Sequence, residues 1–533
     1  MKKILPRRFR RCVRILAAMT LFSLAAVQQA GAERFLFIPL DNRPVTRDYT
    51  VDTFHLAGHE IITPPETLLA SHQSRGDAAA LENFLDQEAR GLDGAVVSLD
   101  SLIYGGLVTS RTHEFSDKEL EERLGPVLHF KENHPGVPLY GFVTVMRSPK
   151  YSSAPQEPAY YAEWGPRLFA WGELRDRQEQ GLLTRKEQKQ LALLEKEIPA
   201  AVQKDLLERR RKNRDVILAL VDAAKAGRLD YLLIGRDDSS VYSEARRDAR
   251  AIAERIGSYG YKIRSLPGAD ELGMVLLSRA VSRSRGLTPL IHAWYTEPRG
   301  ASFVSALEDI SIGENVRQHI LAAGGYPARL QKRADLVLAV STPYRGVTHG
   351  ADTAYNTELL RPEDVRFLDR TEKDVREGYS VGVADTAYLN GSSDALVRGL
   401  FARRLPDGTP LAYGLASYAG WNTCGNTLGY AVAQGLAASS MPAAARREML
   451  DIRYLDDWAY QAHARQDVRY GLTYPKQWEN GGMNRAHTEA AEAYVTESIR
   501  KTAGPVMGKQ TVDAYTYTFP WQRTFEIAVR KGR

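Results

Sequence analysis

Cysteine is nearly absent from this sequence of 533 residues, which contains only Cys12 and Cys424. Cys12 lies in an N-terminal segment with the features of a cleaved leader, so Cys424 remains alone in the mature chain. A single cysteine cannot form an intramolecular disulfide, and a chain of this size can be stabilised by its hydrophobic core instead. Nothing near Cys424 in the sequence supplies a base, so we interpret it as an inert buried thiol.

Long apolar runs are also absent after the first 32 residues, which predicts no membrane span in the mature chain. The first 32 residues contain seven basic residues, then an apolar stretch from Ile15 to Val27, and then Ala30-Gly31-Ala32. This order is typical of a secretory signal peptide. We therefore expect residues 1–32 to be a signal peptide and the protein to be exported, either to the periplasm or outside the cell.

An excess of basic charge is absent from the mature chain. The full sequence has 71 Lys and Arg against 65 Asp and Glu, a formal net charge of +6. Seven of the basic residues and none of the acidic ones lie in residues 1–32, which leaves 64 basic and 65 acidic residues. Because no basic patch is interleaved with aromatic residues either, we expect no nucleic-acid partner.

The motifs of several enzyme classes are missing. The sequence has no GxSxG nucleophile elbow and no Walker-type phosphate loop. His55 and His59 have the spacing of a two-histidine metal site on a helix, but Gly58 interrupts them and the run leads straight into a predicted strand. We therefore expect neither a resident metal nor a cofactor.

Apolar strand-like runs alternate with helical stretches almost from end to end, which indicates an α/β protein with a parallel sheet. Polar or charged residues follow the predicted strand ends repeatedly. The mouth of a (β/α)-barrel-like sheet would gather such residues, and so would the carboxyl edge of an open sheet. Because the strand candidates exceed the eight of a simple barrel, either a smaller α/β unit is appended or some of these runs lie outside the barrel.

Two regions depart from this alternation. Trp171 to Arg228 is charge-rich and predicts two long helices, whose basic run Arg209–Arg214 forms a solvated face or contacts an acidic polymer. From about Met441 the sequence is mostly helical in pattern. We therefore predict an α/β domain over residues 33–440, with a helical insertion at about 171–228, and a mostly helical C-terminal region over 441–533 that packs on the sheet.

The strongest candidate site is Asp237-Asp238, which ends the apolar run Tyr231–Ile234. Repulsion between adjacent carboxylates raises the pKa of one of them, as a general acid at neutral pH requires. Adjacent residues on a regular strand point to opposite faces, but at a strand end both can reach one site. We interpret the pair as catalytic, acting on a sugar; the alternative is a helix cap beside a solvated neighbour.

A second stretch, Gly420 to Asn426, also follows a predicted strand. Trp421 offers an apolar face for a pyranose, and Asn422 and Asn426 can donate and accept hydrogen bonds with sugar hydroxyls. The structural alternative is a capped helix start with a packed tryptophan. The remaining candidate substrate-binding residues all lie at or shortly after predicted strand ends: Asp41, Arg43, Asp100, Tyr104, Arg147, Tyr295, Asp385 and Asn390.

Four short motifs stand out along the chain. They are Pro39-Leu40-Asp41-Asn42-Arg43-Pro44, Ser98-Leu99-Asp100 with Tyr104-Gly105-Gly106-Leu107 and Ser110-Arg111, Gly235-Arg236-Asp237-Asp238, and Gly420-Trp421-Asn422-Thr423. Together they make the chain similar to a large bacterial family of exported proteins of unknown function. The resemblance extends over nearly the whole mature chain and implies export, but it implies no activity.

The tandem aspartates at a strand end, together with the downstream Trp421-Asn422 loop, also resemble the barrel β-N-acetylglucosaminidases that include O-GlcNAcase and hyaluronidase-like enzymes. This resemblance implies that Asp237 orients and polarises the 2-acetamido group of the substrate. It further implies that Asp238 is the general acid/base and that Asn422 holds sugar hydroxyls.

The sequence therefore predicts an exported, retaining glycoside hydrolase that acts on an N-acetylhexosamine-containing glycan with the substrate acetamide as nucleophile. Two alternatives stay open. One is a metal-dependent glycan deacetylase that uses Asp237 or Asp238 with His55 and His59. The other is a non-catalytic envelope glycan-binding protein that uses Trp421 and Asn422.

Overall fold

The computed structural model describes residues 32–72, 74–472 and 482–532. Apart from Ala32, the predicted signal peptide lies outside these residues. The described residues from Arg34 onward form one compact unit, so those after residue 441 belong to the same body as those before it. No helix of the described part is long and apolar enough to cross a membrane.

The N-terminal half is built on a six-stranded parallel sheet with the order β2-β1-β3-β4-β5-β6. Alternate residues of its strands pack into two different cores: Phe35 and Phe37 into one, Leu36 and Ile38 into the other. Both faces are therefore buried, which explains apolar runs without alternation. The strands are β1 (Arg34–Ile38), β2 (Glu60–Ile62), β3 (Gly94–Ser98), β4 (Leu139–Val145), β5 (Tyr231–Arg236) and β6 (Ile263–Pro267).

The second half contains a five-stranded parallel sheet with the order β13-β11-β9-β7-β8 and a two-stranded sheet of β10 and β12. The C-terminus adds an antiparallel hairpin of β14 and β15. These strands are β7 (Leu290–Tyr295), β8 (Tyr326–Pro327), β9 (Leu336–Ser341), β10 (His349–Gly350), β11 (Val381–Asp385), β12 (Tyr388–Leu389), β13 (Ser417–Ala419), β14 (Tyr515–Thr518) and β15 (Ala528–Lys531).

The α/β class, the parallel sheet and the helical C-terminal region are confirmed. The barrel-like arrangement is replaced by two open sheets. In each sheet the first strand in the chain lies between the second and the third, and the later strands are added beyond the third. This is the 2-1-3-4-5 order of doubly wound folds. Because neither sheet closes on itself, each has two edge strands. Ligands of such folds bind at the carboxyl ends of the strands, beside the point where the strand order reverses.

The helical insertion between β4 and β5 has three helices instead of the predicted two, and it has a small apolar core of its own. Its basic run is only partly solvated. Arg211 pairs with acidic neighbours at the surface, but Arg210 is buried and donates to the carbonyl oxygens of Met146 and Arg147. The insertion therefore supports the loop that follows β4.

The α-helices of the described residues are numbered in chain order, and a π-helix at Tyr454–Ala464 continues α16. They are α1 (Asp48–Leu56), α2 (Ala78–Glu88), α3 (Leu99–Tyr104), α4 (Leu107–Thr112), α5 (Asp117–Asn133), α6 (Tyr161–Glu179), α7 (Arg185–Glu197), α8 (Ala200–Lys225), α9 (Glu244–Ile256), α10 (Leu272–Ser284), α11 (Ile312–Ala322), α12 (Pro362–Arg376), α13 (Asp394–Ala402), α14 (Leu411–Gly414), α15 (Cys424–Ala437), α16 (Ala443–Arg453), α17 (Arg465–Gly471), α18 (Arg485–Met507) and α19 (Lys509–Asp513).

Candidate functional site

A cavity of about 550 Å³ lies at the carboxyl ends of the strands of the six-stranded sheet. Loops that follow β12 and β13 and the C-terminal segment Trp521–Phe525 form its other walls. Its polar and charged lining residues are Asp41, Arg43, Arg111, Arg147, Tyr151, Ser152, Gln156, Asp237, Asp238, Asp270, Asn390, Asn422, Arg465, Trp521 and Arg523. The cavity thus brings together seven of the thirteen residues predicted from the sequence.

Asp237 and Asp238 both line this cavity because the backbone turns where β5 ends. Arg236, the last residue of β5, points into the protein, where its guanidinium forms two hydrogen bonds of 2.8 Å with Asp309. Asp238 then adopts a φ of 39°, in the left-handed region that few non-glycine residues occupy. The alternation of the strand is broken at this point, so both carboxylates reach the same space.

Each aspartate of the pair is held by its own arginine. Arg111 donates to Oδ2 of Asp237, and Arg147 donates to Oδ2 of Asp238 at 2.7 Å. Buried Glu157 accepts from both arginines, at 3.3 Å and 2.5 Å. Among the described residues, no hydrogen bond reaches the Oδ1 atom of either aspartate. One oxygen of each carboxylate is therefore left for a ligand.

The two aspartates differ in their electrostatic surroundings. Burial and then the neighbouring charge of Asp237 raise the pKa of Asp238, whereas Arg147 and Arg111 act in the opposite direction. The hydroxyl of Tyr151 lies 3.4 Å from Asp238 Oδ2. A carboxyl group with a raised pKa in a cavity is suited to donate a proton.

A second charged group lies in the same cavity, at the ends of β1 and β6. Arg43 donates through Nε to both oxygens of Asp41, at 3.0 and 2.9 Å, and through Nη2 to Asp270 at 2.6 Å. Burial raises the pKa of Asp270 to about 6, although Arg43 opposes the shift. Asp41 and Arg43, both predicted to bind substrate, thus form a buried ion pair that also borders the cavity.

Asn390 and Asn422 contribute the amides of the opposite wall. Both have left-handed backbones, with φ of 57° and 56°, and the N–H of Asn390 donates to the carbonyl of Asn422 at 2.8 Å. Asparagine tolerates this conformation better than most residues. The two loops are therefore fixed to each other at the point where both side chains border the cavity.

Trp421 does not border the cavity, which corrects its predicted role as a sugar platform. Its side chain is 1% exposed and packs edge-on against Phe525 at 5.9 Å. Asn426 is likewise buried, where it closes a capping box with Thr423 and donates to Glu271 at 2.5 Å. These residues therefore match the structural alternative, a capped helix start with a packed tryptophan. Both side chains point inward because α15 begins at this point.

Four other predicted residues do not line the cavity. Asp100 accepts from the N–H and hydroxyl of Thr144, and burial raises its pKa to about 7. Tyr104 packs on His113. The remaining two are Asp385, which accepts from Ser393 N–H and Tyr418 and whose pKa burial raises to about 6, and Tyr295 at the end of β7.

Several cavity residues were not predicted. Arg111 lies within one of the four motifs and Asp270 follows a strand, but nothing in the local sequence indicated that either side chain contributes to a site. Trp521 had no local signal, since the contact between its Nε1 and Asn42 joins residues far apart in sequence. Arg523 stacks between Trp521 and Phe525, with its guanidinium carbon 4.6 and 5.3 Å from the two ring centres.

The two histidines of the metal-dependent alternative lie away from this cavity. His55 Nε2 accepts from the N–H of Ile61, and His59 packs between Phe35 and Phe54 beside a separate cavity of about 300 Å³. Among the described residues, no three His, Cys, Asp or Glu side chains are arranged to hold a metal ion. The predicted ligand set is therefore not assembled.

Comparison with curated proteins finds no match. One protein family matches residues 35–530, almost the whole chain after the predicted leader. Its description confirms the expected membership of a family of unknown function, while the likeness to the β-N-acetylglucosaminidases stays a prediction. The chain belongs to this family, which is described as "Protein of unknown function (DUF4127)".

Proposed function

We propose that this protein is an exported glycoside hydrolase that cleaves an N-acetylhexosamine-containing glycan with retention of configuration. The observation that carries the proposal is the left-handed turn at Asp238, which directs two adjacent carboxylates into one cavity, each fixed by a separate arginine. In an ordinary retaining glycosidase, an acid and a carboxylate nucleophile flank the bond that is cleaved. A tandem pair fits that arrangement less well than one in which one carboxylate protonates the leaving oxygen and the other binds the neighbouring acetamide.

The proposed first step uses Asp238 as general acid. Its proton passes to the glycosidic oxygen while the bond from that oxygen to the anomeric carbon breaks, and the acetamide oxygen forms a bond to the same carbon. Asp237 accepts a hydrogen bond from the acetamide N–H and stabilises the positive charge of the resulting oxazolinium. Water then attacks the anomeric carbon while the bond from that carbon to the acetamide oxygen breaks, and it gives a proton to the carboxylate of Asp238, which restores both the acetamide and the acid.

Several features support a sugar ligand. The volume of about 550 Å³ is in the range of small-ligand sites. Paired carboxylates, guanidinium groups and the amides of Asn390 and Asn422 offer both acceptors and donors to hydroxyl groups. The arginine on one oxygen of each aspartate fixes its orientation while the second oxygen remains available.

A panel of 4-nitrophenyl glycosides tests the proposal. Wild type should release nitrophenol from the N-acetyl-β-glucosaminide or N-acetyl-β-galactosaminide but not from the glucoside, which lacks the acetamide. Asp238→Asn should lower kcat by roughly 100- to 10,000-fold. The matched control is Glu121→Gln, an exposed acid-to-amide change on α5, which should behave as wild type. Hydrolysis of the glucoside would refute the role of the acetamide.

One observation favours a second candidate, a glycan-binding protein without turnover. Asp41, Asp237, Asp238 and Asp270 are all paired with arginines, and such pairs hold hydroxyl groups without any proton transfer. Calorimetry with chitin oligosaccharides separates the candidates. Unchanged affinity in Asp238→Asn, combined with no turnover by wild type on any glycoside, favours the binding protein.

A further inference from the structure

Five charged side chains form a continuous series of ion pairs at the tandem aspartates. Arg111 contacts Asp237 at one end of the series, and Arg147 contacts Asp238 at 2.7 Å at the other end. Glu157 lies between the two arginines and accepts hydrogen bonds from both. The order of this ion chain is therefore Asp237, Arg111, Glu157, Arg147, Asp238. Glu157 is 1% exposed and does not line the cavity, so it acts on a ligand only through its neighbours.

The charges of the ion chain do not balance. Three carboxylates face two guanidinium groups, so the fully ionised chain carries a net charge of −1. The five side chains are only 1–18% exposed, and a charge without compensation is costly in such surroundings. One bound proton removes this charge. Without Glu157 the two arginines would already balance the two aspartates, so Glu157 is the member that creates the need for a proton.

The contacts of the two arginines indicate which carboxyl group holds this proton. Arg147 donates to both oxygens of Glu157, at 2.5 and 3.0 Å, and only its Nη1 reaches Asp238. Arg111 contacts Glu157 through one longer bond of 3.3 Å, and its Nη2 donates to Asp237. Glu157 therefore competes more strongly for the arginine of Asp238 than for that of Asp237. The proton is favoured on Asp238.

The pKa shifts within the ion chain agree with this assignment. Burial raises the pKa of Glu157, but the charges of Arg147 and Arg111 together lower it below its usual value, so Glu157 stays ionised. Burial and the charge of Asp237 raise the pKa of Asp238, and Glu157 adds to that rise.

Other titratable groups around the ion chain leave its surplus negative charge in place. Burial raises the pKa values of Tyr151 and Tyr161, so both phenols are neutral. Asp100, which interacts with Arg111 and Asp237, adds a carboxyl group and no positive charge. The other arginines that border the cavity have contacts of their own: Arg43 with Asp41 and Asp270, Arg523 with Glu526, and Arg465 with Gln461.

We propose that Glu157 is a positioning residue for the general acid, because its charge gives the ion chain one carboxylate more than its guanidinium groups balance and so keeps the proton on Asp238. This inference rests on the proposed function, because it takes Asp238 to protonate the leaving oxygen. Glu157 therefore acts on the reaction without contact to the substrate.

The test is the pH profile of kcat/KM for the 4-nitrophenyl N-acetyl-β-glucosaminide. Glu157→Gln removes the surplus charge and should move the alkaline limb to lower pH by about one unit. Glu157→Asp keeps the charge and should keep the limb near its wild-type position, even where the shorter side chain lowers kcat. The exposed control Glu121→Gln should leave the profile unchanged. An unmoved limb in Glu157→Gln, a shift to higher pH, or equal shifts in both Glu157 variants would overturn the proposal while the proposed function stands.

Infrared spectroscopy at neutral pH tests the same proton without a substrate. Asp238→Asn should lose one protonated-carboxyl band that wild type shows, and Glu157→Gln should lose the same band. If wild type hydrolyses no glycoside, the proposed function fails, and the infrared comparison alone decides whether Glu157 keeps the proton on Asp238. The loss of a band in Asp238→Asn supports this even where Glu157→Gln does not fold. No band lost in Asp238→Asn, or the same band retained in folded Glu157→Gln, overturns it.

Discussion

At the residue scale, the candidate site depends on the backbone of Asp238. Its φ of 39° is a conformation that costs of order 1–3 kcal/mol in non-glycine residues and that persists where the surroundings enforce it. Here the surroundings are Arg147 and Tyr151, which both contact Asp238 Oδ2. The position of the carboxylate is thus determined by specific contacts at the cavity wall.

Arg147 should set the alkaline limit of activity. Its positive charge lowers the pKa of Asp238 against the effect of burial, so Arg147→Gln should raise that pKa further. A general acid is active while protonated, and the alkaline limb of the kcat/KM profile should therefore move to higher pH. The measurement is the pH profile of hydrolysis, compared with Arg167→Gln, whose exposed side chain lies 3.8 Å from Glu197. A limb that stays in place or moves to lower pH contradicts the assignment.

At the element scale, strand ends and one unusual helix position the site. The π-helix Tyr454–Ala464 places Asp457 beneath both loops of the amide wall. Asp457 Oδ2 accepts from the N–H of Gly420 at 2.8 Å, and its carbonyl oxygen accepts from Ser392 N–H at 2.9 Å. π-Helical segments are rare and occur frequently at functional sites. This one holds the turns that carry Asn390 and Asn422.

Asp457→Ala should therefore weaken substrate binding through Asn422, because it removes the carboxylate that accepts from Gly420 N–H but keeps the backbone carbonyl that accepts from Ser392 N–H. We expect KM to rise about tenfold with a smaller change in kcat, because uniform binding is lost while the acid remains in place. The effect should not add to that of Asn422→Ala, since both changes remove the same contact. Glu448→Gln, a surface change on α16, is the control. A lower Tm with unchanged KM would limit Asp457 to a structural role.

The sequence predicted the elements well and their arrangement less well. Runs such as Tyr231–Ile234 were recognisable because a strand buried on both faces needs no alternation. The two open sheets were not predictable, since local sequence does not encode which strands pair. Asp237 and Asp238 were predicted because a strand end is visible in the local sequence. Trp521 was not predicted, because it reaches the cavity from the far end of the chain. Trp421 was misassigned because a strand end does not determine which way an indole turns.

At the scale of the whole molecule, two buried carboxyl groups meet at the first turn of α15, and one of them, Glu271, comes from the half with the six-stranded sheet. Glu308 accepts from the N–H of Gly425 at 2.8 Å, and Glu271 accepts from Asn426, so both contact the first turn of α15. Burial raises the pKa of Glu308 to about 8. Negative charge near a helix N-terminus is favourable, but here desolvation dominates.

The free energy of unfolding should consequently fall as pH rises. The folded state keeps a proton on Glu308 between pH 4.5 and about 8 that the unfolded state has lost, so stability is greatest below this window and decreases through it. One such proton contributes up to about 1.4 kcal/mol per pH unit. Urea unfolding at pH 5 to 8 should show a flatter dependence for Glu308→Gln than for wild type or Glu121→Gln. An unchanged slope would show that Glu308 is ionised when folded.

The role of Asp238 is tested most directly by varying the leaving group of the substrate. A poor leaving group such as phenol needs protonation, whereas 2,4-dinitrophenol leaves without it. For N-acetyl-β-glucosaminides, Asp238→Asn should lower kcat/KM at least about 100-fold for the phenyl glycoside but less than about tenfold for the dinitrophenyl glycoside. Equal losses on both substrates, or no hydrolysis of either by wild type, would contradict Asp238 as the general acid of this cavity.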